Sequence, residues 1–326
     1  MKAVRVYEFG GPEVLRLKND VEKPRIASGD QILVKVHAAG VNPLDTYIRS
    51  GNYGRVVLPY TVGNDGAGTV EAVGESAAKF KKGDRVCFTL SATGSHAEFC
   101  LVSEANAFHL ADSCTFARGA AVGAPYATAY RALFQKARAT YGQTVLVHGA
   151  SGAVGLAAVQ LAKGAGLRVL GTAGTDQGVE LVTQQGAERA FNHRKADYVK
   201  DIERATSGRG VDVVVEMVAN VNLKVDLGLL APDGTVVVVG SSGSVEFNPG
   251  ALMAGETRVC GVALFHSTNA EMAEIGQALQ VGLQRGQLKP VVAKVYSMEK
   301  TAEAHKDVMQ PSGGGALGKL VVNVCD

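Results

Sequence analysis

Residues 143–162 read QTVLVHGASGAVGLAAVQLA, a stretch without a formal charge in a chain of 326 residues. Its length invites comparison with a membrane span, but His148, Ser151 and three glycines interrupt it and Lys163 closes it. Thr144-Val-Leu-Val is an apolar run of strand type, Gly149-Ala-Ser-Gly is a tight turn, and small and apolar residues then continue at helical spacing. A chain that passes straight from strand to helix through a turn almost free of side chains must build a layered structure that buries both.

The alternation continues. Residues 144–148, 167–171, 211–215 and 235–239 read as strands with helical stretches between them, the pattern of a parallel sheet covered on both faces, a doubly wound α/β fold. The first 120 residues differ: short alternating runs such as Gln31-Ile-Leu-Val-Lys-Val-His and Gly68-Thr-Val-Glu-Ala-Val, separated by Gly, Pro and Asp, predict a β-rich domain. A strand is expected near Val259, a helix from Asn269 to Arg285, and a strand-like Lys319-Leu-Val-Val-Asn-Val that rejoins the first domain. Domain boundaries are expected near 124 and 262, and Gly313-Gly-Gly reads as a turn. Forty glycines, about 12% of the chain, fit a structure with many tight turns.

Lys and Arg number 33 against 31 Asp and Glu, so the formal charge of +2 supplies no strong field for nucleic acid or acidic lipid. Five cysteines without a C-x-x-C pair, in a chain too large to need staples, predict reduced thiols. Cys87, Cys100 and Cys260 lie in apolar runs as small hydrophobes. Met1-Lys-Ala-Val-Arg-Val alternates like a strand and lacks a secretory pattern, so a cytoplasmic location is expected.

Ala150, Gly152 and Gly155 occupy the three positions of a G-x-G-x-x-G fingerprint, between a strand and a helix, where backbone N–H groups meet a dinucleotide pyrophosphate. An acidic residue about 20 positions on would bind a free ribose 2′-hydroxyl. Gly174 stands nineteen positions beyond Gly155, without charge, and points to NADPH, although Asp176 nearby would favour NADH if it folded back toward the ribose. His193, Arg194 and Lys319 are candidate phosphate partners or solvated surface residues. His148 reads equally as a buried histidine satisfied by backbone. Neither H-E-x-x-H nor a G-x-S-x-G elbow occurs, which argues against metallohydrolase and serine hydrolase chemistry.

These motifs run in the order of a known family. Ala39-Gly-Val-Asn-Pro-Leu-Asp-Thr-Tyr-Ile-Arg, Leu58-Pro-Tyr-Thr-Val-Gly-Asn-Asp-Gly-Ala-Gly, Lys82-Gly-Asp-Arg-Val, Gly119-Ala-Ala-Val-Gly-Ala-Pro-Tyr, Phe191-Asn-His-Arg and Glu216-Met-Val-Ala-Asn-Val-Asn-Leu resemble the medium-chain dehydrogenase/reductase superfamily, and within it the zeta-crystallin-like quinone reductases. The resemblance implies a GroES-like catalytic domain over 1–123, a Rossmann NADP-binding domain over 124–262 and a return to the catalytic domain over 263–326. Where zinc enzymes of the superfamily place thiolate and imidazole ligands, this chain has Asn42, Asn64-Asp65 and Ala124, so no metal is expected. Without a Lewis acid, the acceptor must be easily reduced. A quinone fits, reduced by NADPH to hydroquinone or semiquinone, and the alternative is a 2-alkenal or enoyl reductase.

The resemblance also implies site residues. Tyr47, Asn42 and Tyr53 would serve the acceptor: a phenol at neutral pH donates a hydrogen bond more readily than it gives up its proton, and Tyr53 would stack. Cofactor contacts would come from Tyr47, Thr128, Ser151, Gly152, Ala153, Val154, Gly174, His193, Asn222, Val239, Gly240, Ser241, Ser242, Val262, Ala263 and Leu264, with Lys319 added as a phosphate partner. Ser241 and Ser242 read equally as turn formers. Asn64, Asp65, Ala124 and Thr128 would shape the pocket that zinc vacates. Relatives imply a homotetramer, and a non-catalytic lens role or AU-rich single-stranded RNA binding is the reading from another class.

Overall fold

A computed structural model describes residues 1–54, 56–311 and 315–325. Gly313 and Gly314 of the expected turn lie outside the described residues. The chain divides into two compact units: Met1–Ala124 together with residues 268–311 and 318–325, and Pro125–Ser267 together with residues 315–317. The second division falls after Ser267 rather than after 262. Leu264 is buried there, and the His266 carbonyl accepts from Arg131 Nη2 at 3.5 Å, so the 3-10 turn Leu264–His266 stays with the second unit. Thr268 then caps the helix Asn269–Gln284, accepting from the Glu271 N–H while Glu271 accepts from its own.

Eight strands precede the crossing: β1 (Ala3–Val6), β2 (Leu15–Lys18), β3 (Gln31–Val41), β4 (Tyr60–Thr61), β5 (Asp65–Val73), β6 (Arg85–Phe88), β7 (Phe99–Ser103) and β8 (Ala107–His109). The second unit holds β9 (Thr144–Val147), β10 (Arg168–Ala173), β11 (Arg189–Asn192), β12 (Val211–Glu216), β13 (Leu230–Val238) and β14 (Arg258–Gly261). In the first unit again are β15 (Val292–Ser297) and β16 (Lys319–Asn323).

The first unit has a three-stranded sheet β2-β1-β4 and a larger sheet β15-β16-β3-β5-β6-β8, with β7 also pairing β3. Ile32, Val34 and Val36 of β3 alternate into a core with Phe88, Cys100 and Val102. β16 does rejoin this unit, antiparallel to β3 with Leu320 opposite Val41, while Asp65 at the head of β5 sits opposite Gly40. The ends of three neighbouring strands therefore meet at one point.

In the second unit all neighbours are parallel, in the order β11-β10-β9-β12-β13-β14. The chain starts in the middle at β9, winds outward, and crosses to β12 on the other side, the doubly wound order with ligands bound beyond the carboxyl ends. Leu146, Leu170, Val214 and Val236 pack with Ile202 as its core. Among the described residues no helix is long and apolar enough to cross a membrane.

Candidate active site

The turn between β9 and the helix Ala153–Gly164 is shaped by close approach. A Cβ on Gly155 would lie 2.5 Å from the Ala150 Cα and the Gly149 carbonyl oxygen, so only glycine lets this helix start against the strand. Gly152 is different: nothing but the Gly149 carbonyl oxygen at 3.4 Å and Ala316 at 3.8 Å approaches the place of a side chain. No side chain caps this helix, and the first N–H groups of any helix lack intrahelical partners. A bare, glycine-lined N-terminus at the carboxyl end of the first strand fits a dinucleotide pyrophosphate, which the backbone of Gly152, Ala153 and Val154 could hold. Ser151 is buried beside it.

Beyond β10, Gly174 leads into Thr175, which caps the helix Asp176–Gln185 by accepting from Gly178 N–H at 3.0 Å. Asp176 does not stand alone: Asn192 donates to it at 3.0 Å, Lys195 lies 3.2 Å away, and the two hold its carboxyl below the usual range. His193, exposed after β11, is held below the usual imidazole range by partial burial of its ring and then by His148 and Arg194.

A cavity of about 360 Å³ opens at the ends of β9, β10 and β12, lined by His148, Thr172, His193, Tyr198, Glu216 and Asn222 among others. Beneath it lies a buried charged group that the sequence reading did not single out. His148 Nδ1 is 3.0 Å from Thr172 Oγ1, and Nε2 pairs at 2.9 Å with Asp226, without good hydrogen-bond alignment, and at 3.9 Å with Glu216. The His148 ring therefore faces side chains rather than backbone: Nδ1 has Thr172 as a partner, and Nε2 lies in ion-pair range of the two carboxyl groups without an aligned hydrogen bond. Burial opposes its charge, but the two carboxylates outweigh burial and raise it above the usual range. Burial lifts Glu216 to about 7 against the pull of His148. These three are the one group among the described residues with metal-ligand spacing, their donor atoms within 4.8 Å of one another. Asn222 reaches the cavity but spends its amide on Glu216, at 3.1 and 3.2 Å.

The other positions expected to meet the cofactor follow β13 and β14. Val239 N–H donates to the Glu216 carbonyl at 2.8 Å, and a Cβ on Gly240 would meet the Met217 carbonyl oxygen at 2.4 Å, so a glycine is required where two loops touch. Ser241 donates to the Gly243 carbonyl at 3.0 Å and Ser242 N–H to Asn220 at 3.0 Å; both serines form the turn. Val262 continues the pairing by donating to the Val238 carbonyl at 3.0 Å, ahead of Ala263 and the buried Leu264. Thr128 is partly buried on the helix Gly123–Tyr130. Cys87 and Cys100 are buried as expected, but Cys260, near the edge strand's end, is only partly so.

In the first unit, Asn42 follows β3 and caps the short helix Pro43–Arg49. Its N–H donates to Asp45 Oδ2 at 2.8 Å, and Pro43 supplies a first helical residue that needs no donor. The Asn42 side chain donates from Nδ2 to Asp65 Oδ2 at 2.9 Å and accepts at Oδ1 from Lys319 Nζ, which also lies 3.1 Å from Asp65. The other Asp65 oxygen accepts from the Ala124 N–H at 2.9 Å. Lys319, expected as a phosphate partner, is corrected by this finding: it is 2% exposed, because β16 pairing on β3 carries it under Asn42, and its charge is spent on Asp65.

Asn64 donates to the buried Asp45 at 2.6 Å, and burial still lifts Asp45 to about 6. A cavity of about 340 Å³ opens here, lined by Asp45, Ile48, Val56, Tyr60, Val62 and Asn64 among others. Tyr47 and Tyr53 are exposed. Amides and a carboxylate already paired with an ammonium offer neither thiolate nor imidazole, so Asn42, Asn64, Asp65 and Ala124 do not fit a catalytic zinc.

Residues 28–136 match the alcohol dehydrogenase GroES-like domain family, and residues 153–280 match the family described as zinc-binding dehydrogenase. The latter span excludes Asn42, Asn64, Asp65 and Ala124. With the doubly wound cofactor unit and the β-rich unit that β16 rejoins, this makes the chain a medium-chain dehydrogenase/reductase and an oxidoreductase. The quinone oxidoreductase of Homo sapiens is 50% identical over 323 residues, 99% of this chain and 97% of that protein. One from Pseudomonas aeruginosa is 31% identical over 312 residues, covering 94% and 95%. The Escherichia coli quinone oxidoreductase solved with NADPH superposes with a TM-score of 0.87 at 30% identity, over 99% of this chain and all of that one. The chain belongs to the quinone oxidoreductase family, the zeta-crystallin branch of that superfamily.

Proposed function

We propose that the chain reduces quinones with NADPH and without zinc. The observation that carries this reading is the Asn42–Asp65–Lys319 group, a set of hydrogen-bond donors and acceptors that is electrically balanced and leaves no ligand for a Lewis acid. NADPH supplies the hydride; the residues of the chain bind, orient and hold protons. Gly152, Ala153 and Val154 hold the pyrophosphate, Gly174 leaves room for a 2′-phosphate, and Asp176 nearby is engaged by a hydrogen bond from Asn192 and an ion pair with Lys195. His193, Asn222, Thr128 and the loops 239–242 and 262–264 complete the cofactor contacts.

An acceptor that needs no metal forms an anion whose charge is delocalised over the ring, and hydrogen-bond donors stabilise it well enough. Asn42 and Tyr47 are assigned that part and Tyr53 the stacking of the ring; the cavity beside Asn64 is lined by none of the three and is not the support for these roles. The test is the initial rate of NADPH oxidation by chelator-treated protein with an ortho-quinone, against NADH controls. A quinone-dependent rate that favours NADPH is expected; NADPH binding without turnover overturns the reading. The homotetramer and the AU-rich RNA of the resemblance belong to the same proposal, and sedimentation and a gel shift through a salt series check them. A cytoplasmic location belongs to it as well.

A further inference from the structure

We propose that Lys319 is a positioning residue for the acceptor: its buried ammonium fixes and polarises the Asn42 amide, leaving one Nδ2 N–H to donate to the oxygen being reduced. The inference rests on the quinone reductase reading above.

The argument starts from what each partner can do. An ammonium only donates and a carboxylate only accepts, whereas an amide does both from opposite ends. With Lys319 Nζ on Asn42 Oδ1 and Asp65 Oδ2 taking one N–H from Nδ2 at 2.9 Å, the amide fits only one way round. An unconstrained asparagine turns either end to its surroundings; this one cannot turn. The main chain is fixed as well, by the Asn42 N–H on Asp45, and Asp65 is fixed from its far side by the Ala124 N–H. Nδ2 carries two hydrogens, and Asp65 takes one.

Polarisation follows from the same contacts. A cation on the carbonyl end draws electron density from the amide nitrogen, and linked hydrogen bonds strengthen one another in a low-dielectric site. The second N–H is a better donor for it. Asp65 cancels the net charge, so the group presents a fixed dipole at Asn42, which is itself 7% exposed. The fold makes room for this arrangement: a Cβ on Gly40 would lie 2.8 Å from the Lys319 Cε and 2.4 Å from the Ala120 carbonyl oxygen.

Two variants separate positioning from packing. Lys319→Met combined with Asp65→Asn removes both charges at nearly constant volume, which buried pairs often tolerate. Lys319→Arg keeps the charge and moves it. For each, kcat and KM for an ortho-quinone, the Kd for NADPH and the hydrogen-exchange rate of the Asn42 side-chain amide are measured beside wild type. The expected result is a fall in kcat of roughly 10- to 100-fold in the double variant, faster exchange at Asn42 and an unchanged NADPH Kd, with Lys319→Arg intermediate. A folded double variant with wild-type kcat and amide exchange overturns the role of Lys319 while leaving quinone reduction intact. Wild-type protein that binds NADPH yet reduces no quinone overturns the underlying reading and this inference with it.

Discussion

Each unit buries a cluster of charges, and the two clusters are balanced by different means. In the first, Asp65 faces the ammonium of Lys319 at 3.1 Å. In the second, Asp226 and Glu216 face the imidazole of His148, whose charge depends on pH. A lysine makes a fixed dipole; a histidine makes a balance that shifts near neutrality.

The most direct way to break the first cluster is Lys319→Met alone. The Asp65 carboxylate is then buried without a counter-charge, and a loss of about 3–5 kcal/mol is expected in denaturant unfolding. The double variant of the preceding section should recover most of that loss. A single variant as stable as wild type would mean that the pair contributes nothing.

The pH dependence sharpens the contrast, because the units respond with opposite signs. In the first unit burial holds His96 down at about 4 and His305 well below its usual value, so both are neutral in the fold. The unfolded chain takes up their protons from about pH 6.5 downward, and stability is lost as the pH falls. For His96 alone the window from 6.5 to 4 corresponds to about 3 kcal/mol. Asp45, raised to about 6, works in the other direction between 6 and its unfolded value of 3.8 and offsets one of the two histidines.

In the second unit His148 is raised and Glu216 stands near 7, so the fold retains protons that the unfolded chain releases, and stability falls as the pH rises through neutrality. Unfolding followed from pH 4 to 9 should show both limbs. His305→Gln should flatten the acid limb and Asp226→Asn should alter the alkaline one. A profile that is flat on both sides would refute the assignment of neutral histidines to one unit and a charged histidine to the other.

A smaller effect is expected at the cofactor. Gly174→Asp adds an acid close to Asp176, which Asn192 and Lys195 already engage, and should shift preference from NADPH toward NADH by about tenfold, or about 1.4 kcal/mol. Unchanged ratios of kcat/KM for the two coenzymes would remove Gly174 from the 2′-phosphate site.

The second unit was far more legible in the sequence than the first. Its cradle is local: strand, turn and helix lie within twenty residues, and β9, β10 and β12 are plain apolar runs. Even there β11 escaped notice, because Arg189-Ala-Phe-Asn has only two apolar residues between polar ends and is recognised as a strand only by pairing with β10. Glu216 and Asp226 escaped because nothing in a sequence marks an acid as buried; the one clue was a glutamate closing the run Val213-Val-Val. Asp45 could have been found from Asn42, three residues ahead in a capping pattern. Lys319 was misread because its neighbours are set by strand pairing between segments far apart in the chain, and a lysine at a strand start usually reads as solvated.

That distance has a bearing on how the protein is made. Asn42 and Lys319 are 277 positions apart, and chains fold from the N-terminal end as they are synthesised. The nascent β-rich segment must therefore keep the Asp65 carboxylate hydrated until β16 arrives, and closing that strand onto β3 both finishes the sheet and supplies the counter-charge. A nascent chain interrupted before Lys319 would lack the partner that makes burying Asp65 tolerable, and would present to the cell's quality-control machinery a unit that cannot close.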